Sequence, residues 1–336
     1  MFKFYKLLFF SSMIIGTLIS ISSNSWMGMW MGLEINLLSI IPLMNNNKNA
    51  LSVEASLKYF ITQAIASTLI LFSVIMMSQS FDIIWTESSY NLIFNSALLT
   101  KMGSAPFHFW FPEVMEGLDW FNCLILLTWQ KIAPMVLITY NLNMPTFFSV
   151  VIILSMLVSG IMGLNQISLR KILAFSSINH IAWMLASMFN TETTWTLYFL
   201  MYSIITLNII VIFKMFNIFY VKQIFMPLKK NIFIKIFFVM NFLSLGGLPP
   251  FLGFFPKWIT IQGLVEKNFI LLAFLMVILT LLTLFYYMRL IFSTLMINTL
   301  ESNYNLEIKN DTFLIFSTNF LSLIGLIFST MMFNFL

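Results

Sequence analysis

Histidine, cysteine and charge are close to absent from this chain. Of its 336 residues one is cysteine (Cys123), two are histidine (His108 and His180), and 9% are charged. A single cysteine excludes a disulfide framework and a cysteine-ligated iron–sulfur cluster. Two histidines leave room only for a haem held by that one pair, which requires their rings to face each other. No phosphate loop, dinucleotide fingerprint or nucleophile elbow is present. So little charge excludes a soluble domain of this length, and with it a soluble catalytic lobe.

What is abundant is apolar. Hydrophobic residues make up 60% of the chain, including 38 Phe and 25 Met, and apolar runs recur from end to end. Residues 1–336 therefore read as a single transmembrane domain, all-α and polytopic, its Met and Phe packing against lipid and between helices. The net charge of +5 does not point to nucleic acid, because the basic residues sit in short loops between apolar runs. The N-terminal stretch from Met1 to Gly16 has lysines followed by apolar residues, as a signal peptide does, but no small-residue cleavage site follows. It is expected to be the first span; an Arg- and Ser-rich transit peptide is also missing.

Eleven spans fit the apolar runs: 4–23, 25–44, 57–78, 92–111, 118–140, 146–164, 171–189, 195–216, 236–263, 269–292 and 313–334. Longer polar connections are expected at 45–55, 217–235 and 298–312, and tryptophans gather near span ends as an interfacial belt would place them. If every span crosses once, one side receives twelve basic residues: Lys3, Lys6, Lys48, Lys58, Arg170, Lys171, Lys222, Lys229, Lys230, Lys235, Arg289 and Lys309. The other side receives only Lys267. That asymmetry puts the N-terminus on the positive side and the C-terminus opposite.

Two stretches stand out against this background. Gly103 to Glu113 reads G-S-A-P-F-H-F-W-F-P-E, and Gly247 to Lys257 reads G-L-P-P-F-L-G-F-F-P-K. Aligned without a gap at an offset of 144, they share Gly103/Gly247, Pro106/Pro250, Phe107/Phe251, Phe111/Phe255 and Pro112/Pro256. An unbroken helix does not absorb two prolines, so each stretch is expected to interrupt its span, with Pro249 adding to the second break. The two spans lie five apart and cross in opposite directions. Residues 1–140 and 146–292 thus read as two inverted five-helix repeats, with 313–334 appended. Ordinary proline kinks are the alternative, but kinks alone do not call for lysines at membrane depth.

Those lysines belong to a larger set. Glu34 lies midway along the second span, Lys101 just before the first break, Lys131 mid-way in the fifth span with Pro134 as a further break, His180 in the seventh, and Lys257 just after the second break. A charge at this depth costs several kcal/mol unless paired or hydrated, and one acid does not neutralise three lysines. An amine taken out of water holds its proton less tightly, and a nearby carboxylate restores its hold. Transfer between Lys101 and Lys131 is therefore expected to depend on whether Lys101 pairs with Glu34. Static readings stand beside this one: Glu34 as a cap or fixed partner, Lys131 on carbonyls freed by Pro134, His180 satisfied by neighbouring Ser176, Ser177 and Asn179. Lys214 reads as snorkelling, and His108 and Glu113 as interfacial.

The stretches K-M-G-S-A-P-F-H-F-W-F-P-E-V (101–114), W-Q-K-I-A-P (129–134), N-Q-I-S-L-R-K-I-L-A-F-S-S-I-N-H-I-A-W (165–183) and S-L-G-G-L-P-P-F-L-G-F-F-P-K-W (244–258) closely resemble the mitochondrial NADH dehydrogenase subunit 2 family. These are antiporter-like membrane-arm subunits of respiratory complex I, and the resemblance covers nearly the whole chain. It implies a proton-translocating subunit of the mitochondrial inner membrane, N-terminus in the matrix. Glu34 and Lys101 would be its input pair, Lys131 its central relay, Lys257 its exit group and His180 the link between them. It implies no cofactor on this chain, since NADH, FMN, iron–sulfur clusters and ubiquinone act in other subunits. Length and span count resemble the animal form, which lacks three N-terminal helices of the bacterial counterpart. Implied partners are therefore other membrane-arm subunits, supernumerary subunits over the truncated side, and phospholipids. Heavy use of Phe, Ile, Met and Asn suits an A+T-rich organelle genome. Two other readings remain: a subunit of a multisubunit cation/proton antiporter, which would not purify with a flavin-bearing arm, and a scaffold with vestigial lysines.

Overall fold

The computed structural model describes residues 4–45, 49–79, 84–224, 232–249, 251–296 and 316–320. Among these the chain is helical without a strand; an isolated antiparallel bridge joins Ser168 to Tyr220. Contacts divide the chain into two compact units, Met1–Val151 and Ile152–Leu336.

The first unit contains α1 (Phe4–Ser22), α2 (Trp26–Met44), α3 (Ala50–Gln79), α4 (Ile84–Met102), α5 (Trp110–Gly117), α6 (Trp120–Leu127) and α7 (Trp129–Thr139). Ser25 caps α2, its hydroxyl accepting from the Gly28 N–H at 3.2 Å. Small residues let α1 and α2 approach closely, as membrane helices commonly do. A Cβ added at Gly32 would stand 2.5 Å from the Ser20 nitrogen, and one at Gly16 would stand 2.9 Å from the Asn36 nitrogen. Helix α5 lies equally close to the start of α3, where a Cβ on Gly117 would meet the Leu51 carbonyl at 2.4 Å. Lys58 of α3 pairs with Glu54 at 3.0 Å and with Glu113 of α5 at 2.8 Å, all three exposed. Helix α3 begins at Ala50 rather than at residue 57. Its polar first turns, with Ser52, Glu54, Ser56 and Lys58, extend the helix beyond the apolar run that hydropathy detects.

Helix α8 (Pro145–Leu164) follows, and then α9 (Leu169–Met188), α10 (Glu192–Met215), a 3-10 turn at Val221–Gln223, α11 (Ile232–Gly246), α12 (Phe254–Glu266), α13 (Ile270–Met296) and a helical stretch at 316–320. Helix α9 is the hub of the second unit: every residue from Ile172 to Met188 is buried. Its entry is clipped to the chain after α10, Leu169 N–H donating to Phe219 O at 2.9 Å and Val221 N–H to Ile167 O at 3.2 Å. The stretch at 316–320 is tied to α11 through Asn241, whose amide donates to Asn319 Oδ1 at 2.6 Å.

Among the described residues seven helices are long and apolar enough to cross a membrane. Three further expected spans differ for physical reasons. The fourth and ninth are each split into two shorter helices, and α9 carries enough polar side chains to fall short in hydropathy. A helix surrounded by protein on all sides need not be apolar. Pro134 lies inside α7 without breaking it; the interruption falls six residues earlier, at Thr128 (φ −116°, ψ −72°). Pro250, the span at 313–334 outside 316–320, and Lys3, Lys48, Lys229, Lys230 and Lys309 lie outside the described residues.

Candidate functional site: two lysine-bearing helix breaks

The two aligned stretches break their helices in the same way. At the end of α4, Gly103 takes φ +74°, and at the end of α11, Gly247 takes φ +76°. Both are left-handed positions that glycine adopts at low cost. Gly103 N–H donates to Leu99 O at 3.0 Å, and Ser104 N–H to the same carbonyl at 3.2 Å. Gly247 N–H donates to Leu243 O at 3.1 Å, and Leu248 N–H to the same carbonyl at 3.3 Å. These are matching Schellman-type ends. After each, one turn restarts the chain: Phe111 N–H bonds His108 O, and Phe254 N–H bonds Phe251 O, both at 3.0 Å.

A helix that ends inside a membrane exposes carbonyls that need donors. At the first break, Trp110 Nε1 donates to Thr100 O at 3.0 Å and Gln63 Nε2 to Lys101 O at 3.3 Å. At the second, Lys257 Nζ donates to Gly246 O at 2.8 Å and to Leu245 O at 3.3 Å. Position for position, Leu245 corresponds to Lys101. The Gln63 amide thus meets at one break the need that the Lys257 ammonium meets at the other. The glycine at 247 is required twice over, because a Cβ there would stand 2.6 Å from Lys257 Cδ. Gly253 is required by contact alone: its Cβ would stand 1.7 Å from Ser244 O.

In the first unit, Lys101 is buried in the last turn of α4, where the helix dipole favours a cation. Glu34 of α2 lies within Coulombic reach of its amine, yet among the described residues the ion pairs are those of Lys58. Glu34 Oε2 is buried without a hydrogen-bond partner. The expected pairing of Glu34 with Lys101 is therefore an approach short of contact. Lys131 is 1% exposed, its Nζ 5.7 Å from the ring of Phe111, one of the aligned phenylalanines. Beside it, Gln130 exchanges two hydrogen bonds with Asn36 of α2, at 2.9 and 3.0 Å, and accepts from the Tyr59 hydroxyl at 3.4 Å. This amide pair holds the Glu34 helix against the Lys131 helix.

In the second unit, His180 of α9 is buried, its Nδ1 3.0 Å from the Tyr198 hydroxyl and its ring 4.9 Å from that of Tyr202. Asn179 donates to Thr283 of α13 at 3.4 Å. The Lys257 ammonium, besides its two carbonyls, stands 5.6 Å from the Trp183 ring on α9. His108, expected at the interface, is instead buried in the first break. Lys214 is exposed in the last turn of α10. Asn36, Tyr59, Gln63, Gln130, Tyr198 and Tyr202 escaped the sequence reading. The signal for three of them was available: Gln130 sits beside Lys131 in W-Q-K, and Tyr198 and Tyr202 share one helix face at i,i+4. Among the described residues no three His, Cys, Asp or Glu side chains gather as a metal site would need.

Long apolar helices, with two further helices ended at glycine breaks beside buried lysines, are the features expected of a transporter-type membrane protein. A family model described as "NADH:quinone oxidoreductase/Mrp antiporter, TM" matches residues 23–283. NADH-ubiquinone oxidoreductase chain 2 of Anopheles gambiae is 52% identical over 335 residues, and that of Aedes aegypti 53% identical over 332, each covering 97% of both chains. In fold, the chain is similar to one in respiratory complex I from Thermus thermophilus, with TM-score 0.88 and 20% identity, covering 97% of this chain and 78% of that one. It is also similar to a chain of the Mrp complex from Dietzia sp., with TM-score 0.74 and 18% identity, covering 84% of this chain and 59% of that one. The chain belongs to the NADH:quinone oxidoreductase/Mrp antiporter membrane family, and within it to the NADH-ubiquinone oxidoreductase chain 2 group.

Proposed function

We infer that the chain is a core membrane subunit of a proton-pumping NADH:ubiquinone oxidoreductase, moving protons while redox chemistry proceeds in other subunits. The observation that carries this reading is the pair of equivalent breaks, each with a glycine of positive φ and a buried lysine within its last or first turn. Such breaks put backbone dipoles and a titratable amine at membrane depth, which a purely structural span does not need. In the first unit Glu34 and Lys101 form the input pair and Lys131 the central relay; in the second His180 passes the proton on and Lys257 releases it. The chain binds no NADH, FMN, iron–sulfur cluster or ubiquinone itself and has no redox site of its own. Its eleven spans form two inverted five-helix repeats, 1–140 and 146–292, with 313–334 added, in one transmembrane domain. It resides in the mitochondrial inner membrane with the N-terminus in the matrix and the C-terminus in the intermembrane space. Other membrane-arm subunits, supernumerary subunits on the truncated N-terminal side and phospholipids are its partners.

The test is proton uptake by sealed vesicles holding the assembled complex with Lys131→Met or Lys257→Met. Uptake lost, with NADH oxidation by an artificial acceptor retained as the measure of assembly, supports the relay. Unchanged uptake makes the chain a scaffold. The second reading, a cation/proton antiporter subunit, draws on the likeness to the Mrp chain. Co-purification with a flavin-bearing arm decides between the two, and 52% identity along 97% of both chains favours the oxidoreductase.

A further inference from the structure

His180 and Lys257 belong to the same unit, and the space between them holds more than apolar packing. Helix α13 brings two adjacent phenols there, Tyr286 and Tyr287, at 0% and 1% exposure; both hydroxyls are buried without a hydrogen bond of good geometry, although the Tyr287 oxygen has the Ser176 and Tyr286 hydroxyls as neighbours. A buried hydroxyl left unsatisfied costs about 1–3 kcal/mol, so such groups are ordinarily met by an ordered water. The two rings pack edge to face, centroids 4.6 Å apart, and their outer sides meet different neighbours. Tyr286 lies against α8, where a Cβ on Gly163 would stand 2.8 Å from its Cε1. Tyr287 lies against the second break, its Cδ2 3.9 Å from where a Cβ on Gly246 would stand. Gly246 is the residue whose carbonyl accepts the Lys257 ammonium at 2.8 Å.

From the other direction, Thr283, one turn before Tyr287 on α13, accepts from Asn179 beside His180 at 3.4 Å, and Tyr287 lies within electrostatic reach of both Tyr198 and Tyr202. These are the phenols that bond and pack against His180. One side chain therefore borders both the histidine cluster and the lysine-capped helix end. Resting on the proposed relay, we propose that Tyr287 is a further proton-carrying residue, its hydroxyl joining the His180–Tyr198–Tyr202 cluster to Lys257 through bound water. In each passage the phenol oxygen receives one proton from the histidine side as its own proton leaves towards Lys257. The phenol is neutral before and after, and no bond other than O–H is made or broken. Such transfer needs the hydroxyl but not the ring, which packs 5.8 Å from Phe242 whether or not oxygen is present.

The test is Tyr287→Phe in the assembled complex, with Tyr286→Phe and Lys257→Met in parallel. Vesicle proton uptake is normalised to NADH oxidation by an artificial acceptor. The expected result is that Tyr287→Phe loses most of the uptake lost by Lys257→Met, while Tyr286→Phe keeps it. Full uptake in Tyr287→Phe alongside loss in Lys257→Met overturns the role of Tyr287 and leaves the relay intact. Unchanged uptake in both overturns the relay itself. Equal losses in Tyr286→Phe and Tyr287→Phe also overturn the proposal, since a general polarity effect would then explain both. If Tyr287→Phe fails to assemble, a density map of the unaltered complex decides: water linking the Tyr287 oxygen to Tyr202 and towards Lys257 supports the route, and a dry contact overturns it.

Discussion

In the proposed relay Glu34 is the residue on which input turns, because its carboxyl group lies within Coulombic reach of Lys101. An isosteric Glu34→Gln removes the charge and keeps the shape. It is expected to slow vesicle proton uptake while leaving assembly unchanged; undiminished uptake would remove Glu34 from the relay. His180 offers a separate test of energetics. Tyr198→Phe deletes the hydroxyl 3.0 Å from its Nδ1, with an expected loss of about 1 kcal/mol in thermal unfolding of the membrane arm, the usual net contribution of one hydrogen bond. Lys257 combines both concerns, since its ammonium also closes two carbonyls. Lys257→Arg, which keeps donors at the break, is therefore expected to assemble better than Lys257→Met.

At the scale of elements, the breaks depend on glycine more than on proline. Gly103→Ala and Gly247→Ala each force a Cβ into the left-handed region, at about 1–2 kcal/mol. At 247 the Cβ would also stand 2.6 Å from Lys257 Cδ, whereas at 103 the nearest atom is Phe111 Cβ at 3.0 Å. Gly247→Ala is thus expected to lower the yield of assembled complex more than Gly103→Ala, as read on native gels. The α2–α7 amide pair is a second element-scale joint. Asn36→Leu removes two of the hydrogen bonds of the Gln130 amide in a part-buried setting and leaves only that from Tyr59. It is expected to destabilise by about 1–3 kcal/mol and to lower proton uptake together with stability.

The whole molecule is governed by which side of the membrane each loop reaches. If all eleven proposed spans cross, Lys222 and Glu266, both exposed, face opposite compartments. Single cysteines at those two positions are expected to react with a membrane-impermeant maleimide from opposite sides of oriented vesicles. Labelling from the same side would remove one crossing between them and with it the inverted repeat. The background thiol, Cys123, is buried, so the signal from either position is readable.

The sequence by itself determined that the chain is a helical membrane protein, because a chain with 60% hydrophobic residues and 9% charged satisfies its backbone in lipid chiefly by helices. It also located both interruptions, since Gly103 and Gly247 recur with proline and phenylalanine at one offset and such residues punctuate helices locally. Tertiary structure alone decided who meets the freed carbonyls. Gln63 is 38 residues from Lys101, and Asn36 is 94 from Gln130, and no local period encodes pairings at such separations. It also decided that Pro134 sits inside α7 while the interruption falls at Thr128, that His108 is buried, and that Tyr287 packs beside the second break. Local chemistry fixes where a helix starts and stops. Which polar groups end up facing one another is settled only when the helices pack.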